Sequence, residues 1–471
     1  MAECPQEMDG QDFSPDDRRN PRAWSVRKKS LISIVCAVSY FVVLFANANY
    51  ISSIYGVKAD FHVSDTLAIL PITLYSFGFA LGPTFGTAFS EILGRQYFYK
   101  TLLALSLVFT VVAGSARNYA TLAVGRALAG TLASPCVGIF AGMLNDLWDH
   151  SAEPLGSQFV VIYAMFGAFA PLVGPISGSA VVSVTDDWRW TFWLTALLLG
   201  GCVVINLPVP ETFAPRIFRE PDSSSSLSSM TLPAALRVGL GRPLHMLLVE
   251  PIMLPTAAYG AVVQGILYVY YVAYPWALQT QYSFSVYQVG LSFLSLLGGS
   301  IVAFPIISVV DRTMYQKAKR RAELRGESVA PEERLWCCMI GSILLPISLF
   351  WFAWTANSSI HWTVPVMSGV LFGCSFPLNL LGFPWYKNDI YGAKYGASAV
   401  AVENLLRYLF SSFVPLFTVH MIQHLSFRWT MSFWGVVSLA LMPVPWVMYR
   451  WGPWLRVRSR YVVCSSKGVD L

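Results

Sequence analysis

The chain has 471 residues and a formal charge of +6, with 55% of it drawn from Ala, Val, Ile, Leu, Met, Phe, Trp, Tyr and Cys and only 12% from Asp, Glu, Lys and Arg. Soluble domains carry roughly twice that charged share, so a water-soluble fold would lack the polar surface to cover itself. So apolar a chain cannot stay solvated as a disordered polymer either. Eight cysteines are too few at this length for a disulfide scaffold, and the remaining class is a protein of the lipid bilayer.

A helix needs ~20 mostly apolar residues to cross the hydrocarbon. Twelve such stretches fall near 31–51, 67–89, 97–114, 119–143, 158–182, 190–208, 251–273, 289–310, 335–354, 362–384, 396–420 and 430–449. A β-barrel would alternate apolar and polar residues, whereas Thr191 to Leu207 is apolar on every side. The expected fold is all-α, with twelve transmembrane helices.

Lys and Arg are retained on the cytoplasmic side of membranes. With the N-terminus placed inside, 26 of the 32 fall in inner loops and tails, 4 fall outside, and Arg126 and Arg407 lie within spans. Both termini are therefore expected in the cytoplasm. The net charge follows from this retention, so no nucleic-acid partner is needed to explain it. The longest interruption, 209–250, contains Ser223 to Ser226 and reads as a cytoplasmic linker. It separates a first bundle, 31–208, from a second, 251–450, with tails at 1–30 and 451–471. Two six-span halves around a central loop fit a transporter that binds its substrate between them.

Short motifs recur along this frame. After Leu81-Gly82-Pro83 comes Ser90-Glu91-Ile92-Leu93-Gly94-Arg95, a tight turn in which an acid beside a base can lock or release helix ends. Span 4 carries Leu122, Arg126 and Gly130 at four-residue spacing. Span 5 carries Ala170 and then Gly174-Pro175-Ile176-Ser177-Gly178-Ser179, small residues for close approach around a helix-bending proline. Trp188-Arg189-Trp190, Pro210-Glu211-Thr212 and Pro331-Glu332-Glu333-Arg334-Leu335 follow, and Asn20-Pro21 and Trp24 precede span 1. Together these resemble the major facilitator superfamily, and within it the fungal twelve-span drug:proton antiporters. Two positions depart from the pattern: Thr87 replaces a leading Gly, and Gln96 a second base. The resemblance implies two pseudo-symmetric six-helix bundles. It also implies a gate at Glu91, Gly94, Arg95, Gly174, Pro175 and Gly178, and a proton-coupling role for Arg126.

Ionisable groups inside the spans are few, and such groups are functional candidates. Glu403 and Arg407 share a face of span 11 at i and i+4 and can pair; with Arg126 they form the proton-coupling set. Span 7 places Gln264, Tyr268 and Tyr271 on one stripe, which offers ring faces and hydrogen bonds to a planar, partly polar ligand. Asn47, Phe166 and Asn379 complete the expected substrate pocket. Two Arg against one Glu favour a neutral or weakly anionic cargo over a polycation.

His420 and His424 share a helix face but lack a third ligand, so no metal site is expected. The chain shows no P-loop ending in G-K-[ST], no H-E-x-x-H and no G-x-S-x-G. A non-enzyme is therefore expected, without a cofactor and powered by a proton gradient. The leading expectation is a proton-coupled exporter of drugs, toxins or secondary metabolites, working as a monomer in the plasma membrane, with the vacuolar membrane as the alternative. A proton symporter importing a nutrient or organic acid, and a non-transporting membrane sensor, are the competing readings.

Overall fold

In a computed structural model, residues 17, 19–148, 153–217, 241–327 and 329–461 are described. The Ser-rich linker, most of the N-terminal tail, the last residues of the C-terminal tail and the side chain of Glu91 lie outside that description. The described residues form helices and turns, with no strand among them. Among the described residues, eleven helices are long and apolar enough to cross a bilayer, and a twelfth, Trp190–Asn206, is shorter.

The first half comprises span 1 (Val26–Ala48), span 2 (Asp65–Leu93), span 3 (Arg95–Gly114), span 4 (Tyr119–Leu147), span 5 (Pro154–Thr185) and span 6 (Trp190–Asn206). The second half comprises span 7 (Met253–Tyr282), span 8 (Val286–Val310) and span 9 (Trp336–Thr355). Spans 10 (Thr363–Gly392) and 11 (Ser398–Leu425) follow in one segment broken at Gly392, and span 12 begins at Phe427. Because the spans alternate in direction, both ends of the described chain lie at one face, here the terminal face. The opposite face is the distal face.

Local chemistry sets several helix ends. Ser64 accepts from Leu67 N to start span 2, and Asn118 accepts from Thr121 N at 2.8 Å to start span 4. Ser285 and Gln288 form a reciprocal capping box at span 8. Gly94 ends span 2 at φ 93°, a conformation open to glycine and strained for other residues. The chain therefore reverses directly into span 3.

Apolar packing is unevenly shared between the halves. Near the distal face, Ala48, Tyr50, Ile51, Ile69, Ile72, Leu172 and Phe192 of the first half belong to one contiguous core with spans 7 to 11. Nearer the terminal face, Val35, Val43, Phe79, Leu103, Phe140 and Met143 form a separate core that Tyr408 joins from span 11. The seam is thus sealed toward the distal face. Gly290 of span 8 lies so near span 5 that a Cβ there would stand 3.0 Å from the Pro175 carbonyl oxygen. Close backbone approach of this kind is how membrane helices associate in a solvent as apolar as themselves.

The terminal face is fastened by ion pairs. Arg95 meets Asp146 at 3.0 Å between spans 3 and 4, and Arg334 meets Asp389 at 2.9 Å at the corresponding ends of spans 9 and 10. Glu211, after span 6, accepts from the N–H groups of Arg95 and Gln96 at 3.2 and 3.1 Å. A carboxylate there satisfies donors that a helix N-terminus leaves free and faces the positive end of its dipole. Arg456 meets Glu332 at 3.0 Å on the other half. Glu250, buried before span 7, accepts from Tyr391, Ser459, Arg460 N and Tyr461 N and so docks the chain after span 12.

Candidate functional site: a polar cavity in the seam

Span 1 ends at Ala48 and tightens into a 3₁₀ turn, Asn49–Ser53. The carbonyls of a helix's last turn lack regular partners and carry its negative dipole end. Arg126 of span 4 fills that position: its guanidinium donates to Ala46 O at 2.9 Å and to Asn47 O and Oδ1 at 3.4 and 3.3 Å. It also stacks over Tyr75 and Tyr50, at 4.3 and 5.1 Å from the ring centroids. Carbonyls and ring faces thus solvate a cation that cannot lose its proton. Gly130, one turn on, packs against the backbone of Tyr75, which explains the small residue of the span 4 motif.

Held in this way, Asn47 aims its amide nitrogen into the seam. It donates to Ser76 Oγ of span 2 and to Tyr268 OH of span 7, both at 2.8 Å, and Ser76 and Tyr268 are themselves 2.8 Å apart. Arg126 is therefore connected through a single side chain to the other half. A second cross-seam bond follows from the span 5 motif. Pro175 has no N–H, so the carbonyl of Pro171, four residues earlier, loses its helical donor. Tyr271 OH of span 7 supplies the missing hydrogen bond at 2.9 Å. Gly174 admits the end of span 1, since a Cβ there would stand 2.7 Å from Asn49 N.

Around these groups lies a cavity of ≈ 30 Å³, lined by Tyr40, Leu44, Asn47, Phe79, Gly167 and Pro171 from the first half and Gln264, Tyr268, Tyr271, Phe376, Leu380, Arg407 and Tyr408 from the second. A water needs roughly 10–15 Å³ of such space, so this closed form holds about two waters and no organic cargo. Four of the six residues expected to bind substrate, Asn47, Gln264, Tyr268 and Tyr271, meet here. Phe166 is placed elsewhere, edge-on to Phe41 at 5.8 Å. Asn379 is buried inside the second half, where it accepts from Tyr259 OH at 3.0 Å and donates to Ser375 O.

The charged cluster beside the cavity differs from the sequence expectation. Glu403 pairs with Lys387 at 2.8 Å, both side chains being buried, and not with Arg407. Span 10 runs on as helix past residue 384 to Gly392. Lys387, read from sequence as a loop residue, is therefore inside and reaches Glu403 across the break. Arg407 instead donates to Asn404 Oδ1 at 2.8 Å and faces the cavity. Among the expected gate residues, Arg95 has Asp146 as its ion-pair partner, while the Glu91 side chain falls outside the described part. His420 and His424 stack at 4.3 Å, and no group of three or more metal-ligating side chains occurs among the described residues.

Sequence reasoning missed Lys387, Ser76, Tyr40, Tyr408 and Asp146. The apolar run around Pro384-Trp385-Tyr386 was the available signal for a longer span 10. The others needed neighbouring helices.

Twelve apolar helices in two halves, with polar groups converging on the seam between them, define a membrane protein of the paired-bundle transporter type. The sequence profile of the Major Facilitator Superfamily matches residues 36–381, and the chain belongs to that family. It is 34% identical to the MFS-type transporter traF of Penicillium crustosum, covering 95% of this chain and 92% of that protein. It is 33% identical to the MFS-type efflux pump MFS2 of Trichophyton rubrum, covering 95% and 76%, and 30% identical to polyamine transporter 4 of Saccharomyces cerevisiae, covering 95% and 72%. Among solved structures, a D-xylose–proton symporter superposes with a TM-score of 0.66 at 16% identity over 88% of this chain and 97% of its own, a likeness of fold alone.

Proposed function

We propose that this chain is a proton-coupled exporter of small organic compounds, neutral or weakly anionic, working by alternating access. The observation that carries this is the small cavity in the seam, lined by polar and apolar side chains of both halves, with the buried Lys387–Glu403 pair one helical turn from its Arg407. Relatives named as efflux pumps support the outward direction. The excess of Lys and Arg on inner loops supports placing the terminal face in the cytoplasm, and the plasma membrane is the proposed location. The seal near the distal face then separates the cavity from the outside. Binding and translocation need no covalent chemistry, cofactor or metal.

Glu403 is proposed to take the proton, with Lys387 as the counter-ion it releases, while Arg126 and Arg407 hold fixed positive charge around it. Asn47, Gln264, Tyr268 and Tyr271 are proposed to contact the cargo, with Phe166 and Asn379 joining only if the helices move. Gly94 and Arg95 on one face, and Gly174, Pro175 and Gly178 on the other, are proposed as the hinges of opening. The relative named as a polyamine transporter raises a polycation as an alternative cargo. The cavity's described lining offers no carboxylate and contains Arg407, which argues against it.

The test is uptake of labelled aromatic fungicides into inside-out vesicles with an acidic lumen. Uptake that a protonophore abolishes, and that Glu403→Gln lacks, is expected. Uptake indifferent to the gradient, or spermidine outcompeting the uncharged compounds, would count against the reading.

A further inference from the structure

The Lys387–Glu403 pair has a consequence for its neighbour. Lys387 and Arg407 contribute two positive charges and Glu403 one negative charge, so the cluster carries a net +1 once the pair forms. That uncompensated charge falls on Arg407. Its side chain is 9% exposed, and its Nε has no hydrogen-bond partner. Its one described hydrogen bond goes to the neutral Asn404. Among the described residues no carboxylate pairs with it, because the acid one turn back is already engaged. The ring of Tyr408, 5.2 Å from its Cζ, compensates only in part.

Arg126 provides the contrast within the same protein. It too is buried and positive, and its Nε is likewise without a partner, but its terminal nitrogens reach two main-chain carbonyls and an amide oxygen, and it lies off the cavity wall. Arg407 is on that wall. A guanidinium presents a planar fork whose geometry matches a carboxylate. A buried guanidinium left with unused donors is unfavourable until an anion arrives.

We propose that Arg407 is the anion-recognition group of the central cavity and that the cargo class is small aromatic carboxylates. Once the helices part enough to admit a ring, the carboxylate meets the guanidinium, while the aromatic body packs among Tyr40, Phe79, Tyr268, Tyr271 and Phe376, whose rings line the same space. Lys387 acts as a positioning residue: by holding Glu403 it keeps that acid from neutralising Arg407. The proposal rests on the transport reading above for its cargo but concerns binding alone.

The experiment is equilibrium binding to the full-length protein in lipid nanodiscs, with three probes of one shape: 2-naphthoate, 2-naphthamide and 2-naphthylmethylammonium. The wild type is expected to bind the carboxylate about ten-fold or more tightly than the amide, the margin of a charge-assisted hydrogen bond, and the ammonium least. Arg407→Gln should shrink the preference to under two-fold, and a melting temperature close to that of the wild type reports that the variant is folded. Arg407→Lys should keep part of the preference. Lys387→Met should lower carboxylate affinity more than amide affinity, because Glu403 is then free to turn to Arg407. Equal binding of carboxylate and amide by the wild type, no binding of the carboxylate, or a preference that survives Arg407→Gln would overturn the proposal. Vesicle transport that fails while this preference stands would break the export reading and leave the recognition site in place.

Discussion

In the first half of the molecule one cation, Arg126, lies among neutral partners: two carbonyls at the end of span 1, an amide oxygen and two tyrosine rings. In the second half three ionised groups, Lys387, Glu403 and Arg407, crowd the break between spans 10 and 11. The first arrangement is insensitive to protons, since Arg does not lose its charge and carbonyls do not titrate. The second includes a carboxylate that protonation would neutralise, freeing its ammonium partner to repel the guanidinium nearby. Arg126 thus carries fixed charge among neutral partners, whereas the Lys387–Glu403 pair includes the carboxylate proposed to switch. Asn47 and Tyr268 link the two across the seam.

The largest effect should come from splitting the switchable pair. Lys387→Met removes the partner of a buried carboxylate, a loss of up to about 3–5 kcal/mol that is offset in part as Glu403 turns to Arg407 one helical turn on. The double substitution Lys387→Met, Glu403→Leu should recover most of that loss, because the one charge left in the cluster is that of Arg407, which has no carboxylate partner in the wild type either. Thermal melting in detergent measures both. A double variant no more stable than the single one would show that the pair is not the unit that matters. Proton-driven export should be absent from both, so stability and coupling separate in the double variant.

How far this contrast could be read from sequence differs between the halves. Arg126 was visible as a cation inside a strongly apolar run, and Asn47, Gln264 and Tyr268 as polar groups on helix faces that proved to converge. Their convergence follows from periodicity plus a six-and-six arrangement. The partner of Glu403 was not visible. Spacing on one helix favours Arg407 at i+4, but Lys387 reaches the same carboxylate from the preceding helix, beyond the point where hydropathy appeared to end that span. Likewise Asp146 and Glu211 meet Arg95 only because spans 4 and 6 close on the start of span 3. Contacts between helices leave no local signature, and the ion pairs of Arg95, Arg334, Lys387 and Arg456 are all made by such contacts.

A smaller effect is expected in the first half. Arg126→Met removes a charge without stranding an opposite one, leaving only carbonyls short of donors, so the loss should be about 1–3 kcal/mol. Arg126→Lys should recover part of it, since one ammonium cannot span the acceptors that a planar fork reaches. If Arg126→Met melts as low as Lys387→Met, the distinction between neutral and ionic compensation fails. If Arg126→Met also lowers affinity for uncharged probes, Asn47 transmits its position to the cavity wall.

The smallest effect sharpens how the halves are held together. Tyr271→Phe deletes the hydroxyl that serves the carbonyl freed by Pro175, a bond made only while the seam is closed. One neutral hydrogen bond contributes about 1 kcal/mol, a factor of roughly five in the balance between closed and opened forms at room temperature. Ser179, buried near the distal end of span 5 against span 8, reports that balance when changed to cysteine. The thiol of Ser179→Cys should label about five times faster with Tyr271→Phe than without it. Tyr282→Phe is the matched control, because its hydroxyl bonds Thr355 O and Asn357 O wholly inside the second half. It should lose comparable stability and leave the labelling rate unchanged. A rate raised equally by both would mean that general loosening, rather than the proline-freed carbonyl, governs opening.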